Sequence, residues 1–123
     1  MPTRRARFGL DSNCLIAMVS EWHDQHRRTL SAYEHWLSRG AEPVIAANSI
    51  LECFSVLTRL PPTNRLPPEI AAQTISEVFF STAVIVGISR QAAVSAMEDV
   101  GRLGLGGGQV YDAAIAHRTV DET

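Results

Sequence analysis

The sequence predicts an α/β fold built on a short parallel sheet. Three observations carry that prediction. Short apolar runs alternate with longer stretches of helical spacing, Gly, Pro or a capping residue marks most of the boundaries, and 123 residues suit one domain.

The elements follow in order. Arg7 to Leu10 is a short, mostly apolar segment ending at Asp11, a first strand. Asn13 to about Ser20 is apolar with helical spacing. His26 to Arg39 carries Leu30, Tyr33 and Leu37 on one face and stops at Gly40, a common helix terminator. Pro43 to Ala47 reads as a buried strand, after which Asn48 or Ser49 opens a helix to about Leu60. Pro61 to Pro68 holds too many prolines to continue that helix and is a loop. Pro68 to Phe80 is a helix that starts on its proline, and Thr82 to Ile88 is the clearest strand. Ser89 caps a helix from Arg90 to about Leu103, a glycine-rich connector follows to Gly108, and Gln109 to His117 is the final helix. The proline loop is too short to demand an interdomain boundary, so residues 1–123 are expected to form a single domain.

Composition narrows the function classes. The hydrophobic share is 46% and the charged share 20%, which argues against a disordered tail. Net charge is −2, so a nucleic-acid partner would have to be met by a local patch rather than a basic field. All 11 cations are Arg, each able to grip phosphate with a planar fork. Cys14 and Cys53 stand apart in apolar runs, without a Cys-x-x-Cys, as expected of a cytoplasmic chain with reduced thiols. Arg4-Arg5 faintly resembles an export signal, but the apolar run after it is only Cys14 to Val19, and nothing approaches a membrane span.

Three acids stand in apolar surroundings. Asp11 follows the first strand, Glu52 lies within Ile50-Leu51-Glu52-Cys53-Phe54, and Asp112 lies among Val110, Tyr111, Ala113, Ala114 and Ile115. Such charges are costly unless paired or metal-bound. Parallel α/β sheets collect ligands outside the carboxyl ends of their strands, where Asp11 would sit. Gathered carboxylates repel, and a divalent cation relieves the repulsion. Oxygen-only ligands favour Mg²⁺ or Mn²⁺, which can activate water and clamp a phosphodiester. Each acid also has a purely structural reading. Asp11, Ser12 or Asn13 can cap the following helix, Ser49 to Glu52 matches a capping box, and Asp112 can meet a helix dipole.

Together, Leu10-Asp11-Ser12-Asn13-Cys14-Leu15-Ile16, Ala47-Asn48-Ser49-Ile50-Leu51-Glu52 with Leu57-Thr58-Arg59-Leu60, and Val110-Tyr111-Asp112-Ala113-Ala114-Ile115-Ala116 resemble the PIN-domain family, and within it the VapC-type toxin ribonucleases. Their order, with 41 residues from Asp11 to Glu52 and 60 from Glu52 to Asp112, makes the resemblance specific, and it spans about residues 7–117. It implies a three-layer α/β/α fold. It also implies an Mg²⁺- or Mn²⁺-dependent endoribonuclease, silenced by a cognate antitoxin and homodimeric. Asp11, Glu52 and Asp112 would be the catalytic metal ligands, with Ser12 or Asn13 supporting a bound water or phosphate.

The departure from the family lies at the end. Members continue into another strand, followed by a fourth acid, whereas residues 118–123 match nothing in the family, and Asp121 and Glu122 come too early. This reads as a C-terminally truncated PIN module. It leaves a rival expectation of a non-catalytic remnant that keeps the antitoxin-binding or dimer surface. The first strand would then be an open edge, and the product less stable and less active than complete relatives. A DNA-cutting nuclease with the same metal chemistry is a further rival, disfavoured by the missing basic surface.

Among the remaining residues, Arg59 follows Glu52 by two turns and would touch RNA phosphate or an antitoxin carboxylate, or simply face solvent. Arg4, Arg5 and Arg7 form a small basic cluster that reads as a solubilising end rather than as a contact to RNA backbone. His23 and His26 lack a third ligand nearby. Trp22, Tyr33, Trp36, Phe79 and Phe80 read as core or dimer surface rather than base-stacking platforms. The 104–108 glycines read as a connector, lacking the ending of a nucleotide loop.

Overall fold

The computed structural model describes residues 6–104. The expected final helix, with Asp112, the tail acids Asp121 and Glu122, and Arg4 and Arg5 lie outside the described residues. Between Ile85 and Val86 the chain divides into two compact units.

The first unit opens with β1 (Arg7–Leu10), α1 (Ser12–Val19) and α2 (His26–Ser38), each close to its expected span. β2 (Glu42–Ala46) starts one residue early, and α3 (Ala47–Arg59) follows it with no loop between. This corrects the expected helix start. Ala46 is the cap residue and supplies no side-chain hydrogen bond, so neither Asn48 nor Ser49 caps α3 and the capping box does not form. α4 (Pro68–Phe79) begins on its proline, whose missing N–H costs nothing in the first turn.

β3 (Val84–Val86) is three residues long rather than seven. The reason lies in the end of α4. The amides of Thr82 and Ala83 both donate to the Phe79 carbonyl, at 3.3 and 2.8 Å, which ties them to the helix end and leaves the strand to begin at Val84.

The sheet has the order β1-β2-β3, so β1 is an edge strand among the described residues. β1 and β2 run parallel, with Arg7 opposite Glu42 and Leu10 opposite Ile45. The first of these pairs is also an ion pair, Arg7 Nε to Glu42 Oε1 at 3.0 Å.

The core of this unit joins Leu10, Leu15, Ile45, Cys53, Leu57, Ile75 and Phe79. Tyr33 and Phe79 are buried as expected, whereas Trp22, Trp36 and Phe80 are each about half exposed. The Tyr33 ring meets Phe8 edge-on at 5.8 Å, and its hydroxyl shares a 2.5 Å hydrogen bond with Thr82 Oγ1, tying α2 to the segment before β3. Phe79 is wholly buried. Phe79→Ala is therefore expected to cost about 3–5 kcal/mol, read as a lowered urea midpoint at unchanged slope.

Cys53 is also wholly buried, and burial pushes its thiol up to about 11 from an ordinary 9.0. The unfolded chain ionises this thiol first, so it binds fewer protons than the native state across that interval and stability falls as pH rises. The expected loss between about pH 9 and pH 11 is on the order of 2 kcal/mol. Cys53→Ala should flatten that alkaline slope in a urea series, after a constant packing penalty.

In the second unit, Ser89 caps α5 (Arg90–Arg102) by accepting from the Ala92 amide at 3.1 Å, as its sequence position predicts. Ala92, Ala96 and Val100 form its buried stripe, and Arg102 pairs with Asp99 one turn back. Among the described residues no helix is long and apolar enough to cross a membrane.

Candidate active site

Asp11 sits in extended backbone immediately after β1. Its Oδ1 accepts from the Cys14 amide at 2.8 Å and its carbonyl from the Leu15 amide at 3.1 Å. It is the N-cap of α1, so the structural reading of this acid holds. Capping engages one carboxylate oxygen, and the residue remains exposed. Ser12, half-buried, and Asn13, exposed, form the first turn beyond it.

Glu52 lies on α3, also exposed. Its Oε1 accepts from Asn48 Nδ2 at 3.2 Å, one helical turn back. Asn48, Glu52, Ser55 and Arg59 all face solvent at the spacing of a single helix face. Asn48 was expected only to open the helix. Its four-residue spacing from Glu52 was the signal for the role the structure gives it, which is to hold that carboxylate.

The sheet register brings these elements to one place. Leu10 pairs with Ile45, so Asp11 and Ala46 leave the sheet together at its carboxyl edge. α1 and α3 both begin there and pack against each other. Glu52 lies five residues beyond the first residue of α3, about 7–8 Å along the axis. Arg59, in the last turn, is farther from that edge than Glu52. Asp112 lies outside the described residues, and among those described no three His, Cys, Asp or Glu side chains come together as a metal-holding group.

The donor chemistry nevertheless suits a hard cation. Both acids offer oxygen only, and a carboxylate has about four acceptor sites, more than the local hydrogen bonds occupy. Thiol chemistry is disfavoured beside them. Burial, followed by the hydrogen bond and negative charge of Asp11, raises the Cys14 thiol above its ordinary value and keeps it protonated at neutral pH. The histidines are engaged locally: His23 Nδ1 accepts from the Gln25 amide at 3.0 Å, and His26 Nδ1 donates to the Ala17 carbonyl at 2.7 Å.

No family model matches the chain. Among curated proteins it is 27% identical over 105 residues to ribonuclease VapC40 of Mycobacterium tuberculosis, covering 85% of this chain and 72% of that one. It is also 27% identical over 109 residues to ribonuclease VapC27 of the same organism, covering 89% and 74%. Among solved structures, it is similar to the sarcin–ricin loop cleaving toxin VapC20 of Mycobacterium tuberculosis, with a TM-score of 0.64 at 14% identity over 95% of this chain and 82% of that chain. It is also similar to VapBC2 from Rickettsia felis, bound to a promoter DNA fragment, with a TM-score of 0.59 at 16% identity over 94% and 81%. These structural likenesses establish a small α/β fold of the kind those proteins share.

Proposed function

From its place among the VapC-type PIN-domain proteins, we propose that this chain is a metal-dependent endoribonuclease and the toxin of a toxin–antitoxin pair. One observation carries the reading: α1, capped by Asp11, and α3, bearing the Asn48–Glu52 pair, start side by side at the carboxyl edge of parallel strands.

Asp11, Glu52 and Asp112 would hold Mg²⁺ or Mn²⁺, which when bound supplies positive charge and an activated water for attack on an RNA phosphodiester. The chain's own residues do the positioning. The Cys14 amide fixes the Asp11 carboxylate, and Asn48 fixes that of Glu52. Ser12 and Asn13 offer hydrogen bonds to a water or phosphate oxygen. Arg59, on the same face as Glu52, meets either the next phosphate or an acid of the antitoxin. Single-stranded or looped RNA is the expected substrate, since its bases can be splayed out. An antitoxin partner and a homodimer complete the reading.

The test is cleavage of a looped RNA by the purified chain. Excess EDTA is expected to abolish cleavage and added Mn²⁺ or Mg²⁺ to restore it, while Asp112→Asn remains inactive with either ion. Undiminished cleavage in EDTA, or by Asp112→Asn, defeats the assignment.

A further inference from the structure

A half-open cavity of about 290 Å³ lies at the far ends of α1 and α3, between the turn after α1 and the proline loop. Ser20, Glu21, Trp22, Leu57, Asn64 and Arg65 contribute to its lining. Three of these residues mark it as more than a packing gap. Ser20 is only 3% exposed, yet its hydroxyl finds no hydrogen-bond partner among the described residues. Trp22 is 47% exposed, with its ring braced beside His23 at a centroid distance of 5.7 Å. Arg65 is tethered by Nε to the Leu60 carbonyl at 2.7 Å, which leaves its two terminal nitrogens to grip an anion.

We propose that this cavity is a nucleobase subsite: it takes one splayed base of single-stranded RNA against Trp22, with Ser20 and Asn64 on the base edge and Arg65 on the adjoining phosphate. The proposal deepens the ribonuclease reading and rests on it. The size admits a single ring system rather than a helix face, being at the small end of ligand cavities. The lining pairs an aromatic face with hydrogen-bonding groups, which is the chemistry of base recognition. Glu21 adds an acceptor suited to a base amine, and its charge leaves the phosphate to Arg65. Position agrees as well. α1 runs eight residues from Asp11 to this cavity, about 12 Å, a span that one or two nucleotides bridge.

The test uses Trp36→Phe protein, in which Trp22 is the only indole, titrated in EDTA with short single-stranded homopolymers of A, C, G and U. At least one homopolymer is expected to quench Trp22 fluorescence saturably. Trp22→Ala should weaken binding of that homopolymer, measured by anisotropy, about 10- to 100-fold. Ser20→Ala should weaken it about 3- to 10-fold with the melting temperature unchanged or raised, because its hydroxyl satisfies nothing in the free protein. Quenching without any metal-dependent cleavage would sink the ribonuclease reading and leave the subsite standing. RNA binding by anisotropy with Trp22 unmoved, or quenching by an amphipathic peptide and by none of the homopolymers, overturns the subsite.

Discussion

Asp11→Asn should lower metal-dependent RNA cleavage about 100-fold or more while leaving the fold almost as stable as before. The two effects separate because Asp11 has two tasks. As the cap of α1 it accepts from the Cys14 amide, and asparagine does this about equally well. The negative charge also favours the positive end of the helix dipole, so its loss costs a few tenths of a kcal/mol, up to about 1. As a metal ligand, by contrast, the neutral amide loses the charge that attracts a hard cation. Removing groups that merely orient ligands costs about 10–100-fold, and removing a ligand should cost at least as much. Asp11→Ala is the control: it loses both tasks, with a further stability cost of about 1 kcal/mol. A thermal scan with and without Mn²⁺ supplies the second readout. The parent should gain stability with the ion by mass action, and Asp11→Asn should gain little. A variant that cleaves at the parental rate would remove Asp11 from the chemistry.

The next largest effect is expected at Glu52 and its holder. Glu52→Gln should reduce cleavage by about 100-fold or more, for the same reason of charge. Asn48→Ala leaves the charge in place and removes only the hydrogen bond that orients it, so a loss of about 10-fold is expected, with more Mn²⁺ needed for half-maximal rate. In the Glu52→Gln background, Asn48→Ala should add almost nothing, because the carboxylate it positioned is gone. Fully additive losses would show that Asn48 acts independently of Glu52. Both side chains are exposed on a solvent-facing stripe, so stability should change by about 0.5 kcal/mol or less.

Much of this was legible in the residues themselves. Local chemistry governs the elements read well: Ser89 caps α5 through its own hydroxyl, Pro68 opens α4, and Gly40, at φ +83, follows the end of α2 in a conformation that glycine adopts freely. The misread boundaries depend on neighbours. α3 starts without a cap because β2 feeds directly into it, and β3 is short because the end of α4 engages the amides before it. The candidate site divides the same way. Asp11 stands out after an apolar strand, and Glu52 within an apolar run. That Asp11 and Ala46 leave the sheet together follows from a pairing between strands 35 residues apart, which no local pattern encodes. Asn48 was overlooked because its polar side chain suited a helix start equally well.

The seamless passage from Ala46 into Ala47 has a consequence for how this chain tolerates changes in length. A junction without slack works like a gear. One residue inserted there would turn α3 by about 100° on its axis and swing Asn48 and Glu52 off the face they share with the carboxyl edge. Insertions and deletions are therefore expected to be absorbed in the proline stretch between α3 and α4, where no helical phase is at stake.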